Sequence, residues 1–428
     1  MKYVSTRLRV PPVPLSDAIL EGLAADGGLY VPERLPRANP ADFEGCEGLA
    51  GVAARLLAPF AGSDRLVGEL PRIAAEAFTF EAPLRPLRAG GASVLELFHG
   101  PTAAFKDFGA RFLAACFRRL APPARRVTVL VATSGDTGSA VGAAFHGLPG
   151  VRVVILYPDG RVSPRQAHLL GCFGDNVRSF AVRGSFDDCQ RLAKGAFADA
   201  ELRAREPLTS ANSISLGRLL PQMTYYASAA LAHWRARREP LRFVVPTGNL
   251  GNAFACLLAR ATGLPIGEVL LATNANRVIP DFLASGTYTP RPSLGTLANA
   301  MDVGDPSNLE RLTWLHGAPG EAGVSAEWVD DATIRARIAA GEASYGAIWC
   351  PHTACAVEAL ERRRRAGDDG HWCLVATAHP AKFDTVVEPL VGHPVAPPPA
   401  LAAALARPSR AEELAADPAA LRARLLEP

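Results

Sequence analysis

Short, mainly apolar runs recur along the middle and late parts of this chain, separated by glycine-bearing turns and helically spaced segments. The runs are Arg126-Val-Thr-Val-Leu-Val-Ala132, Val151-Arg-Val-Val-Ile-Leu-Tyr157, Val177-Arg-Ser-Phe-Ala-Val182, Leu241-Arg-Phe-Val-Val245, Val269-Leu-Leu-Ala-Thr273 and Trp372-Cys-Leu-Val-Ala-Thr377. Apolar stretches of this length predict strands buried on both faces. Between them the spacing predicts a small-residue helix from Ser139, a short helix over 163–170, and a helix leading from the 247–252 loop through Leu258. Strands alternating with helices predict an α/β fold around a parallel sheet. Residues 1–90 read differently. An amphipathic helix over 16–23 is followed by Asp26-Gly-Gly-Leu-Tyr-Val-Pro32, a turn into a short strand. Beyond Pro394 the chain is rich in Pro, Ala and charge, with helical stretches, and reads as peripheral. No repeat of fixed period is present.

Composition narrows the class. The chain has 428 residues, 49% hydrophobic and 20% charged, which is long enough for two or three well-cored domains. A net charge of +3 is too small to suggest nucleic-acid binding. No apolar run reaches the roughly 18 residues of a membrane span, and Met1-Lys-Tyr-Val-Ser-Thr-Arg lacks the apolar core of a signal peptide. The eight cysteines show no framework spacing, so a reducing cytoplasm is expected. The run Arg362-Arg-Arg-Arg365 reads as the end of an exposed helix.

Candidate chemistry begins with a lysine. The chain carries four lysines against 41 arginines, and one of them, Lys106, lies in His99-Gly-Pro-Thr-Ala-Ala-Phe-Lys-Asp-Phe-Gly109. An arginine stays protonated, whereas a desolvated lysine loses its proton and then attacks a carbonyl to form a Schiff base. Three strand-to-loop junctions add to it. Ala132-Thr-Ser-Gly-Asp-Thr-Gly-Ser139 supplies hydroxyls at a helix start. Thr247-Gly-Asn-Leu-Gly-Asn252 supplies glycines and backbone N–H groups suited to a phosphate. The third is Thr377-Ala-His-Pro-Ala-Lys382. Open α/β sheets bind ligands at such carboxyl ends of strands. Neither glycine loop is a Walker loop or a dinucleotide fingerprint. A fourth segment, Leu208-Thr-Ser-Ala-Asn-Ser-Ile-Ser-Leu-Gly-Arg218, gathers amide, hydroxyl and guanidinium groups fit for an anion, although Asn212 or Ser213 also reads as a helix N-cap. A reactive lysine, a phosphate cradle and a second anion site point to pyridoxal phosphate and an anionic substrate.

The chain resembles threonine synthase of the longer branch found in many bacteria and fungi. The resemblance rests on 99–109, 132–138, Asn212-Ser213 with Arg218, the Gly-Asn-x-Gly-Asn loop, Asn299-Ala-Met-Asp-Val303 and 377–383, all in family order, with Gly22 to Pro32 in the N-terminal part. It spans roughly residues 1–395. It departs at Leu250, where phenylalanine is common, at Cys350, where some relatives have glutamate, and at Ala376, which replaces a frequent glycine.

The resemblance implies a fold type II, tryptophan synthase β-like architecture: two open α/β domains with the cofactor between them, plus an N-terminal domain. The implied division is 1–90, then a catalytic region 91–395 with a smaller subdomain at about 126–224, then a tail 396–428. It implies conversion of O-phospho-L-homoserine and water to L-threonine and phosphate. Lys106 would be catalytic and hold the cofactor. Asp136, Gly248, Asn249, Leu250, Gly251, Asn252 and Thr377 would complete the cofactor site, with Thr377 facing a largely neutral ring nitrogen. Asp136 would stand near the cofactor's phenolic oxygen and share a proton there. Thr133, Ser134, Thr137, Asn212, Ser213 and Arg218 would bind substrate. No nucleic-acid, membrane or metal partner is implied, the loose Cys350, His352, Cys355 and His379 spacing notwithstanding. Monomer and homodimer both stay open. The alternatives are a related phospho-lyase or dehydratase giving 2-oxobutyrate, and a non-catalytic binding paralogue.

Overall fold

The computed structural model describes residues 1–88, 90–120, 126–317 and 323–427. In chain order the strands are β1 (Tyr3–Ser5), β2 (Tyr30–Pro32), β3 (Leu84–Pro86), β4 (Ala92–Glu96), β5 (Val127–Ala132), β6 (Val151–Pro158), β7 (Val177–Arg183), β8 (Leu208–Ser210), β9 (Leu241–Pro246), β10 (Ile266–Thr273), β11 (Val324–Trp328), β12 (Trp372–Ala376) and β13 (Glu412–Ala415). Every apolar run picked out above is a strand. They form two open sheets. The larger runs β11-β10-β9-β12-β4-β3, parallel except for β3 against β4. The smaller runs β13-β7-β6-β5-β8 and is parallel throughout. All of β6 is buried, as helices on both faces of a parallel sheet require. The expected α/β architecture is therefore present, with four of the smaller sheet's five strands built from chain inserted between β4 and β9 and the fifth, β13, from the C-terminal end.

The N-terminal segment adds a two-stranded antiparallel pair, β1 and β2, and helices, but no separate core. Its Tyr3, Ile19, Phe43 and Phe60 belong to one apolar cluster with Phe108, Leu113, Phe117, Tyr225 and Tyr226. Tyr3 Oη donates to Phe60 O at 2.8 Å, closing the segment on itself. Arg311, fully buried, ties it to the rest. Its Nε and Nη2 donate to Tyr30 O at 3.1 and 3.0 Å, Nη2 also to Ile214 O at 2.6 Å, and Nη1 to Ser213 O at 3.3 Å and Asn308 Oδ1 at 2.7 Å. The outer layer repeats the link, with Arg7 paired to Glu310 at 3.0 Å.

Three expectations change. The tail is not peripheral: β13 pairs in parallel with β7, and Leu401, Leu414, Leu421 and Leu425 are buried. Arg178 fastens it by ion pairs to Glu412 at 2.9 Å and Glu427 at 2.8 Å. The helix after β5 starts at Asp136 rather than Ser139, because Thr133 Oγ1 accepts from Gly135 N–H and Gly138 N–H, each at 3.0 Å, and winds the turn early. The arginine run does end a helix, Pro351–Arg365, but the first ten residues of that helix are buried, and Arg362 pairs with Glu358 and Glu327, each at 3.0 Å. Among the described residues no helix is long and apolar enough to cross a membrane. All eight cysteines are unpaired.

Candidate active site

Lys106 opens the helix Lys106–Leu120 on a turn that its neighbours clamp. Thr102 Oγ1 donates to Asp107 Oδ1 at 2.6 Å, and Thr102 N–H donates to Asp107 Oδ2 at 2.9 Å. A Cβ at Gly100 would come within 2.6 Å of Asp107 Oδ2 and 2.7 Å of Phe80 Cζ, so only glycine fits there. The next residues pair with the chain leaving β12. Phe105 N–H donates to Thr377 O at 2.8 Å, His379 N–H donates to Ala103 O at 3.0 Å, and Ala104 bridges Ala378. Two motifs 270 residues apart in sequence are thereby laid side by side, with Lys106 and Thr377 at one cleft.

The cleft, counting its open mouth, is about 870 Å3 and lies where β5, β8, β9 and β12 end. All fourteen residues expected at the site line it: Lys106, Asp136, the 248–252 loop, Thr377, Thr133, Ser134, Thr137, Asn212, Ser213 and Arg218.

The Lys106 amine is fit to be neutral. Burial pulls it down to about 8 from an ordinary 10.5, Lys382 and Arg218 add to the fall, and Asp136 opposes it. Burial alone would raise the Asp136 carboxyl, but Lys382, Lys106 and His352 outweigh it and hold the group well below the usual carboxylate range. With Lys382 Nζ at 2.7 Å from Asp136 Oδ1, the carboxylate is an ion-paired anion. His352 also lines the cleft. Its Nε2 accepts from Ala300 N–H at 3.1 Å, and burial pushes the imidazole down to about 4, so it is a neutral ring.

The glycine loop is shaped as a cradle. A Cβ at Gly248 would meet Met301 Cα at 2.6 Å, and one at Gly251 would meet Ser213 Cβ at 2.9 Å. Leu250 takes the left-handed conformation at φ 61°, turning the chain into the helix Gly251–Ala261. The first intrahelical bond is Phe254 N–H to Leu250 O at 2.7 Å, so the N–H groups before it face outward for an anion. Asn249 steadies the loop: Nδ2 donates to Ser213 Oγ at 2.8 Å, and Oδ1 accepts from Ser307 N–H at 2.6 Å. Asn252 Oδ1 accepts from Tyr225 and Tyr226 at 2.6 and 2.9 Å, while its Nδ2 makes no hydrogen bond.

Ser213 joins this loop to the group of polar side chains around Arg218. Arg218 is buried, forms no ion pair among the described residues, and its Nε makes no hydrogen bond. Burial draws its guanidinium down to about 10. Nη1 donates to Ala211 O, and Gly109 leaves room for the side chain, since a Cβ there would lie 3.1 Å from Arg218 Nε. Asn212 Nδ2 donates to Ala132 O at 2.8 Å, and its Oδ1 is unpartnered. Ser213 Oγ accepts from Asn249 and from Asn308 at 3.3 Å, which leaves its own proton for an anion. Neither Asn212 nor Ser213 is the N-cap; Ser215 precedes the helix Leu216–Leu219. A buried near-neutral amine, a cradle that excludes side chains and an unpaired guanidinium fit a phosphate-bearing aldehyde cofactor beside an anionic substrate.

Lys382, Gln166 and Asn299 were not singled out individually from the sequence, although Lys382 closes the third junction and is among the four lysines. Cys350, Cys355 and His379 do not line the cleft. Among the described residues no group of three or more His, Cys, Asp or Glu is placed to hold a metal ion.

Residues 83–378 match the family described as pyridoxal-phosphate dependent enzyme, 2–78 match threonine synthase N terminus, and 353–424 match threonine synthase, C-terminal, which takes in most of the tail. The chain is 41% identical to threonine synthase of Serratia marcescens, with 94% of each chain covered. The crystal structure of threonine synthase from Escherichia coli superposes with a TM-score of 0.92 at 38% identity, covering 100% of this chain and 99% of that one. The pyridoxal-phosphate-bound threonine synthase from Brucella melitensis superposes at 0.89 and 34% identity, covering 100% and 99%. With a buried lysine, a glycine loop and an unpaired guanidinium in one cleft, and with relatives matched end to end, the chain belongs to the threonine synthase family of pyridoxal-phosphate-dependent enzymes.

Proposed function

We propose that this cleft converts O-phospho-L-homoserine and water to L-threonine and phosphate, with Lys106 as its catalytic residue. The observation that carries the reading is the buried, readily deprotonated Lys106 amine across the cleft from the unpaired guanidinium of Arg218. Lys106 would hold the cofactor, the N–H groups of the 248–252 loop would take its phosphate, and Thr377 would meet its ring nitrogen. When bound, pyridoxal phosphate supplies an electron sink for negative charge at the substrate carbons. With the cofactor bound, the Lys106 amine would take protons from Cα and Cβ and return protons at Cγ and Cα. Arg218, Ser213, Asn212, Ser134 and Thr137 grip the γ-phosphate, so the Cγ–O electron pair leaves on a group already held by hydrogen-bond donors. Thr133, its oxygen occupied by two backbone N–H groups, shapes the loop that presents Ser134 and Thr137. Water then adds at Cβ, and Cγ becomes the methyl group.

Product analysis with O-phospho-L-homoserine tests the reading. Threonine and phosphate in equal amounts are expected. Production of 2-oxobutyrate as the sole organic product would show a phospho-lyase, and no turnover with cofactor bound would show a binding paralogue. A second measurement isolates the anion site. The Arg218→Leu variant should lose about 10–150-fold in kcat/KM, as removal of a hydrogen bond to a charged group costs about 1.5–3 kcal/mol. Inhibition by inorganic phosphate should weaken with it, while thermal stability holds, because the lost guanidinium was buried without a counter-charge. Unchanged kcat/KM and phosphate inhibition would remove Arg218 from the site.

A further inference from the structure

A second lysine is buried behind the cleft wall, against Asp136. Lys382 is 0% exposed on the 3-10 turn Pro380–Phe383, which follows β12 of the larger sheet. Its Nζ lies 2.7 Å from Asp136 Oδ1, at the start of a helix that packs on the smaller sheet. The same oxygen accepts from Gln166 Nε2 at 3.1 Å. Gln166 Oε1 accepts from Ser163 N–H at 3.1 Å and from Asn299 Nδ2 at 2.9 Å. Ser163 Oγ donates back to Lys382 O at 2.8 Å. The result is a closed circuit, Lys382 to Asp136 to Gln166 to Ser163 to Lys382, that joins the two sheets around one carboxylate. A Cβ at Gly135 would come within 2.7 Å of Gln166 Nε2, so the loop is fitted to this circuit.

Stability does not account for it. A buried ion pair is commonly no better than apolar residues of similar volume, and a chain that writes 41 of its 45 cations as arginine has kept a lysine here. The charges around the pair point to Lys106. Asp136, Lys382 and Arg218 all act on the Lys106 amine, from three different elements. Lys382, Lys106 and, from the helix Pro351–Arg365, His352 act on Asp136. His352 stays neutral, so the basic groups left acting on the Lys106 amine are Lys382 and Arg218.

We propose that Lys382 is a positioning residue: paired with Asp136, it fixes that carboxylate across the two sheets and sets the charge presented to Lys106 in the cleft that Asp136 and Lys106 share. The inference rests on Lys106 being the cofactor lysine, not on which substrate is turned over. The Lys382 ammonium repels a proton on Lys106 and cancels part of the attraction from Asp136. Removing the charge of Lys382 therefore makes Lys106 more basic, and removing that of Asp136 makes it less basic. A purely structural role would lower stability in both cases and move neither.

The test follows capture of added pyridoxal phosphate by the full chain stripped of cofactor, read by absorbance across a pH series. In Lys382→Met the midpoint should rise by roughly one pH unit, so capture at neutral pH is roughly tenfold slower. In Asp136→Asn it should fall, and Lys382→Arg should keep the parent midpoint. The absorbance titration of the holoenzyme should move in the same directions. A Lys382→Met midpoint at or below the parent's, or an Asp136→Asn midpoint at or above it, overturns the proposal. If Lys382→Met yields no folded protein, the Asp136→Asn direction and the Lys382→Arg midpoint decide. A parent that forms no Lys106-dependent adduct overturns the cofactor-lysine reading itself, a result distinct from an adduct with an unmoved midpoint.

Discussion

The Lys106→Ala variant should lose the absorbance band of bound cofactor and fall in turnover by about 10^2–10^4-fold, the range for removing a positioned proton-transfer group. The magnitude follows from the amine. Held down to about 8, it is neutral at pH 7 in roughly one molecule in ten, against a few in ten thousand for an ordinary lysine at 10.5. Capture of added cofactor should therefore rise with pH, level off above about 8, and fall as the amine protonates below it. Lys106→Arg should not rescue, since a guanidinium keeps its proton across this range. A band that persists in Lys106→Ala with unchanged turnover would remove the lysine from the mechanism.

The second large effect concerns stability. Arg311→Leu should destabilise the fold by about 3–5 kcal/mol, read as a lower denaturant midpoint. Leucine fills part of the volume but leaves the carbonyls of Tyr30, Ser213 and Ile214 and the Oδ1 of Asn308 short of a donor. Arg311→Lys should recover little, because one ammonium cannot reach acceptors spread around a planar fork. Since two of those carbonyls belong to the segment whose Ser213 lines the cleft, activity should fall before the fold is lost. A loss below about 1 kcal/mol would show that the N-terminal segment is held by its apolar contacts alone.

Much of this was legible in the sequence, for identifiable reasons. The strands were, because a parallel sheet covered on both faces demands mainly apolar runs such as Val151-Arg-Val-Val-Ile-Leu-Tyr157, and turns and helices seldom imitate them. The site loops were, because Gly248 and Gly251 stand where a side chain would strike Met301 or Ser213. What escaped depends on contacts between distant segments. Nothing local to Asp136 tells that Lys382 will lie against it, since the two arrive from different sheets. Arg311 sits in Leu309-Glu-Arg-Leu-Thr-Trp-Leu-His316, where an arginine reads as a surface residue; its burial is decided by carbonyls near residues 30 and 213. The tail looked polar because β13 offers only Leu414 to the core, as befits a short edge strand.

The order of strands in the larger sheet has a consequence for synthesis on the ribosome. β4 lies between β3, its near neighbour in sequence, and β12, which pairs Trp372 with Ala92 about 280 residues later. At roughly 5–20 residues per second, β4 emerges about 14–56 s before the strand that covers its other edge. β5, β6 and β7 meet their partners early in that interval, so the smaller sheet assembles first, still missing the edge strand that comes last from the ribosome. Through that interval β4 lacks the strand that pairs with its second edge, and the turn before Lys106 lacks residues 377–379, with which it pairs in the finished fold.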